Sequence, residues 1–167
     1  MALTSKITLD LSASQTGSND FGGPEFTPRM RKVIEFASGV GANQADLLFA
    51  DERTLAASAT EDLDLAGVLA DAFGATITMA EVVAIFIFAD AGNTNNVIVG
   101  DATAPVPLFG GTNPTFSVKP GGFFCVGAPN ASGLLAVGAG ATDDLKIANS
   151  GGTTGVTSEI CVLARSA

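Results

Sequence analysis

Histidine, tryptophan and tyrosine are absent from this chain of 167 residues. The missing histidine removes the commonest general base and the commonest metal ligand. Ser-His-Asp and Cys-His nucleophile systems are therefore excluded. With no Trp or Tyr, any aromatic platform for a sugar would have to come from the eleven Phe residues alone. That counts against a carbohydrate-binding module.

Cations are scarce as well: eight Lys and Arg stand against seventeen Asp and Glu, a net charge of −9. Phosphate backbones are held by clustered Lys and Arg. The only local concentration is Arg29, Arg31 and Lys32, followed at once by Glu35. It reads as a solvated turn or an ionic contact to an acidic neighbour, so no nucleic-acid partner is expected. Charged residues make up only 15% of the chain while apolar ones make up 47%, against about 25% charged in ordinary globular domains. A surface so poor in charge suits a protein partly covered by neighbours.

Two cysteines, Cys125 and Cys161, form no CxxC pattern. They read as small apolar side chains buried in strands, with a disulfide between neighbouring strands or a reactive thiol as open alternatives. The start, Met1-Ala-Leu-Thr-Ser-Lys6, lacks the basic and apolar segments of a secretion signal. The longest low-charge window, Ala72 to Ala89, contains Glu81 and falls short of the ~20 residues a membrane helix needs. A soluble protein made in the cytoplasm, with no membrane partner, is the expectation.

What the chain does contain is strand material. A length of 167 residues fits one domain that needs no metal or disulfide to fold. Leu3, Ile7, Leu9 and Leu11 alternate with polar residues, as a half-buried strand should. Ser12 to Pro28 is rich in Ser, Gly, Asn and Pro, with Phe21 and Phe26 as its only large apolar groups. It reads as a loop or arm that docks onto its own domain or a neighbour.

Beyond it, short strand signals recur: 33–37, 46–50, part of 54–65, 76–79, 82–89, 97–99, 115–118, 123–126, 134–137, 144–148 and 159–164. Gly67 to Gly74 is the best candidate for a short helix or an irregular corner. No repeat of constant period stands out. Helical periodicity is nearly absent. The fold class expected is all-β, an antiparallel β-sandwich, jelly-roll-like or related, with an extended N-terminal arm. The expected division is residues 1–31 as N-terminal strand and arm and residues 32–167 as the sandwich domain.

One strand stands apart. Glu81-Val-Val-Ala-Ile-Phe-Ile-Phe-Ala-Asp90 places eight apolar residues between two acids, with no alternation. A strand of this kind is covered on both faces. One face belongs to the sandwich core, and the other must meet a loop, the arm or another subunit.

No segment carries chemistry. Lys119-Pro-Gly-Gly122 has Pro and Gly at the central positions of a type II turn and reads as a hairpin turn. Asp90-Ala-Gly-Asn-Thr-Asn-Asn96 offers oxygen atoms but lacks the alternating acids and downstream Glu of a calcium loop. It reads as a turn. Glu61-Asp62-Leu63-Asp64 reads as a solvated strand face, and Asn130-Ala-Ser132 as a chance match to a glycosylation acceptor. Gly39-Val-Gly41 and Gly138-Ala-Gly140 lack the third glycine and the helix of a dinucleotide site. No catalytic, cofactor-binding or metal-binding residue is assigned, no cofactor is expected, and the chain is read as a non-enzyme.

The segment Asp46 to Ile87, "DLLFADERTLAASATEDLDLAGVLADAFGATITMAEVVAIFI", resembles a recurrent pattern in small virion proteins of tailed bacteriophages. "NNVIVGDA" at 95–102, "PLF" at 107–109, "VKPGGFF" at 118–124 and "DLKIANSGGTTGVTSEICVLA" at 144–164 fit the same pattern, so the likeness spans roughly residues 30 to 165. It implies a β-sandwich subunit of the particle: a capsid decoration (cement) protein or, alternatively, a tail or tail-tip subunit. The pattern holds strands and turns only, so no functional residue carries over. On this resemblance the expected location is the virion, assembled in the bacterial host cytoplasm. The expected partners are the major capsid protein, other virion proteins and copies of the chain itself, as a homotrimer. The acidic balance favours the outside of the head, away from packaged DNA.

Overall fold

The computed structural model describes residues 2–110 and 114–166. Thirteen strands and no helix form among them. The chain opens with β1 (Ser5–Ser12), β2 (Gln15–Thr16), β3 (Glu25–Phe26) and β4 (Arg29–Phe36). The body follows with β5 (Leu47–Leu55), β6 (Thr60–Asp64), β7 (Glu81–Ala89), β8 (Val97–Gly100) and β9 (Thr115–Val118). It is completed by β10 (Phe123–Gly127), β11 (Leu135–Ala136), β12 (Asp144–Asn149) and β13 (Val156–Arg165).

The body is a sandwich of two antiparallel sheets. One has the order β10-β7-β13-β5, with β11 added on β7; the other has the order β6-β12-β8-β9. Apart from the small β11, the first body strand pairs with the last (β5 with β13) and the second with the penultimate (β6 with β12). Inside them β7 pairs with β10, and β8 with β9. A long hairpin wrapped on itself in this nested way is the jelly roll. The expected all-β sandwich is present, and its strand order is the jelly-roll one.

The core lies between the sheets. Ile85 and Ile87 of β7, Ile160 and Val162 of β13, Ile147 of β12 and Val97 and Val99 of β8 meet there with essentially no exposed surface. Burying each such side chain contributes about 1.5–3 kcal/mol. Gly67 to Gly74 is a run of turns without a helix, so the irregular-corner reading holds. Lys119 to Gly122 is the expected type II turn: the Gly122 amide donates to the Lys119 carbonyl at 2.8 Å, and Gly121 has φ +70. It is not a hairpin, however. β9 and β10 lie in different sheets, and the turn carries the chain from one layer to the other. Local turn chemistry specifies the reversal; which strands then pair is decided by the core.

The Ser12–Pro28 stretch is not the structureless loop that its composition suggests. Ser5 opposite Phe36 begins a register that runs without a slip to Ser12 opposite Arg29. The same register continues with Gln15 opposite Phe26 and ends with Asn19 opposite Gly22. The whole of residues 5–36 is thus one long antiparallel ribbon turning at Asp20-Phe21. The two prolines are tolerated because a two-stranded ribbon has free edges that need no donor. The division at residue 31/32 falls inside β4.

Arg165, at the end of β13, is fully buried and ties two loops to the body. Its guanidinium donates to Glu81 Oε2 at 2.8 Å and to the carbonyls of Gln44 at 2.9 Å, Ala131 at 2.9 Å and Asn130 at 2.8 Å. Removing one partner from a buried, hydrogen-bonded charge is costly because the remaining groups are left unpaired. Arg165→Met is expected to lower the unfolding free energy by about 3–5 kcal/mol, read from the urea midpoint. A loss below about 1 kcal/mol would contradict this role.

Candidate assembly surface

Antiparallel pairing puts directly opposite residues on the same face of a ribbon. One face of the N-terminal ribbon therefore holds Ile7, Leu9, Leu11 and Ala13 on the outgoing strand. On the returning strand the same face holds Phe36, Ile34, Lys32, Met30, Pro28 and Phe26. The other holds Lys6, Thr8, Asp10 and Ser12 opposite Glu35, Val33, Arg31 and Arg29. The polar face satisfies itself: Lys6 pairs with Glu35 at 3.0 Å, Arg29 pairs with Asp10 and Ser14 donates to Glu25 at 2.6 Å. Its cluster of cations is thus internally neutralised, which agrees with the ionic-contact reading of Arg29 and Arg31.

The apolar face meets the body only at its root. Phe36, with Leu3, Ile7 and Ile34, packs on Ala45, Val83, Ala84 and Leu163. Every residue from Thr8 to Val33 is exposed. Leu11 is 62% and Met30 71% exposed although both face the side a strand normally buries. A lone two-stranded hairpin is marginal in water, and this one presents an apolar face along most of its length.

The second uncovered surface is the outer face of the β10-β7-β13-β5 sheet. β7 is the strand with no alternation, and a bulge explains part of it. Leu163 pairs with Ala84 and Ala164 with Val82, so Val83 is an extra residue. It lets Val82 face the core while Val83 and Ala84 meet the root of the ribbon. Beyond the root the outer face continues as two rows: Cys125, Phe86, Cys161 and Ala50, then Phe123, Phe88, Glu159 and Glu52. Phe88 and Phe123 are 45% and 66% exposed, with ring centroids 6.2 Å apart. A shallow depression of about 340 Å³ lies between Phe88, Cys161, Ala50, Glu52 and Glu159.

The opposite sheet offers a different outer face. Asp62 and Asp64 of β6 stand beside Lys146 and Asp144 of β12. Partial burial pushes the Asp144 carboxyl up from its ordinary value, helped by the charges of Asp62, Asp143 and Asp64 and opposed by a hydrogen bond from the Ala104 amide. Asp62 and Asp64 of the Glu61–Asp64 run thus give this sheet an acidic outer face, while Leu63 is buried in the core, and among the described residues no group of three potential ligands could hold a metal ion.

The remaining sequence motifs are spent on local structure. Asn93 binds Thr157 through both its amide oxygen and nitrogen, and Asn95 donates to Thr154, so the Asp90–Asn96 segment closes a loop against the approach to β13. The Asn130 side chain caps the Ser132 amide. In the Gly39–Gly41 segment the Gly41 amide is bound by Gln44, and Gly138 bridges Thr142 across a tight turn. Cys125 and Cys161 are both free. They flank β7 opposite Phe86 and are two strands apart, about 9.6 Å at ordinary strand spacing. That exceeds disulfide reach. Burial pushes both thiols up from their ordinary value.

Sequence reasoning found the outgoing strand and, at 33–37, the base of the returning one, but missed the returning stretch from Glu25 to Lys32. The signal was present: Phe26, Met30, Ile34 and Phe36 keep the alternation of Ile7, Leu9 and Leu11, masked by Pro24 and Pro28. No family model, curated protein or solved structure matches the chain.

Asp144 provides a pH test. Its folded value lies above the unfolded one, so it favours folding below the ordinary carboxylate range, and that contribution is lost as pH rises through the folded value. Asp144→Asn should raise the melting temperature at pH 7, with the difference from wild type closing below about pH 4. An equal gain at both pH values would point instead to a change in packing.

Proposed function

We propose that this chain is a non-enzymatic structural subunit of a tailed-phage particle, a decoration protein that cements the outside of the head. The observation that carries this reading is the ribbon: an ordered, amphipathic element whose apolar face is left in water along most of its length. An isolated protein gains nothing from such a feature, whereas a subunit in an array buries it at roughly 25 cal/mol per Å² of apolar surface.

The jelly roll supports the reading at the level of architecture, being common in viral capsids, although the same fold also serves lectins and cupin enzymes. The charge distribution points the same way. Four of the eight cations and four of the seventeen acids lie on residues 5–36, so the ribbon is neutral and the −9 falls on the rest of the chain. A body of that charge is repelled by packaged DNA, which suits the outer surface. The strand-and-turn resemblance names the kind of particle.

Image reconstruction of the particle tests this directly. Density for the sandwich is expected on the outside of the capsid in hundreds of copies. A few copies or stacked rings on the tail would assign the tail role instead, and absence from the particle would end the proposal. Particles lacking the protein are expected to release DNA at a lower temperature than complete ones.

A further inference from the structure

We infer that the partner of the ribbon's apolar face is a second copy of this chain, received on the outer face of its β10-β7-β13-β5 sheet. The inference rests on the structural-subunit reading and names the contact through which subunits join.

Three observations carry it. First, the ribbon root already covers one end of that sheet face in its own chain, at Val83, Ala84 and Leu163. Phe86 in the adjoining row packs against the edge of that root cluster, and the next row, with Phe88 and Phe123, is of the same apolar kind and is left exposed. The ribbon of the same chain does not cover them: from Thr8 to Val33 it is exposed throughout. From Leu9 to the turn at Asn19 it reaches roughly 33 Å, at about 3.3 Å per residue.

Second, the charges match. Glu52 and Glu159 sit directly opposite one another on β5 and β13, a like-charge pair that opposes sheet pairing. Neither forms an ion pair among the described residues, and both border the apolar depression. The ribbon's apolar face carries one cation, Lys32, opposite Leu9 and likewise without an ion pair among the described residues. An apolar strip with one cation thus faces an apolar patch rimmed by two anions.

Third, the other broad outer face does not fit. The β6-β12-β8-β9 sheet presents Asp62, Asp64 and Asp144 there, and burying these against Leu9, Leu11 and Met30 would desolvate unpaired carboxylates. With Lys32 between Glu52 and Glu159, the flanking Leu11 and Met30 are carried toward Phe88 and Phe123.

Sedimentation velocity on the full chain and a charge-swap series test the contact. Wild type is expected to associate as concentration rises. Lys32→Glu and Glu159→Lys should each weaken association by about tenfold or more, because like charges then face one another. The double variant K32E/E159K should recover most of the loss. Leu11→Asp, exposed in the single chain, should leave the melting temperature of dilute protein unchanged while abolishing association. Met30→Cys combined with Phe88→Cys, both exposed positions in the single chain, should form a disulfide between copies under oxidation, giving a covalent dimer.

A wild-type chain that stays monomeric at hundreds of micromolar overturns the inference. So does association that the single charge reversals leave intact, or a double variant no better than either single one. Particle incorporation separates this failure from failure of the structural role. If wild type is monomeric yet Leu11→Asp loses uptake into particles, the ribbon binds the shell and only the second-copy contact falls. If the chain self-associates as expected but never enters particles, the self-contact stands and the virion role falls.

Discussion

The structure depends on burying both faces of β7. Ile85 and Ile87 are fixed in the sandwich core, while Val83 and Ala84, on the other side of the same strand, are closed off by the root of the N-terminal ribbon. A strand buried on both faces at the centre of a sheet holds its neighbours by hydrogen bonds as well as by packing. β10, β11 and β13 all pair with it. The bulge at Val83 makes this possible, since it moves one apolar side chain to the outer face without shifting the inner register.

From that constraint the asymmetry of the molecule follows. The β6-β12-β8-β9 sheet is an ordinary half-buried sheet, apolar inside and acidic outside. Its partner sheet is apolar on both sides, and the ribbon covers only one end of its outer face. Low overall charge, noted in the composition, is thus concentrated in space: the ribbon and the outer rows of Phe86, Phe88 and Phe123 make one side of the protein unusually apolar. Contiguous patches of that kind mark interaction surfaces. The assembly reading and the proposed contact are two consequences of this one-sided distribution.

Arg165 has a related part. It is a fully buried cation in a chain with few cations, and its donors satisfy carbonyls from loops far apart in sequence. It locks the β4–β5 and β10–β11 connections beside the ribbon root, so the platform from which the ribbon projects is rigid. Buried charged groups cost desolvation energy unless fully paired; here the pairing is what joins the hairpin's base to the jelly roll.

Much of the fold was legible locally. Alternation located β1, the unalternated run located β7 and the Pro-Gly pair located a type II turn, because these patterns depend on neighbours within a few residues. So did the readings of Asp90–Asn96 as a turn and Glu61–Asp64 as a solvated face. What sequence alone determined was the all-β class, many of the strand positions (though 76–79 forms no strand and β5 runs on to Leu55) and the presence of a strand with two greasy faces. Only the tertiary structure decided that Ser12–Pro28 is the far half of a ribbon, that β9 and β10 belong to opposite sheets, and that Cys125 and Cys161 stand on either side of Phe86. Those facts follow from pairing between residues distant along the chain. Such pairing is selected by which apolar side chains can share one core, and no short window of sequence contains that choice.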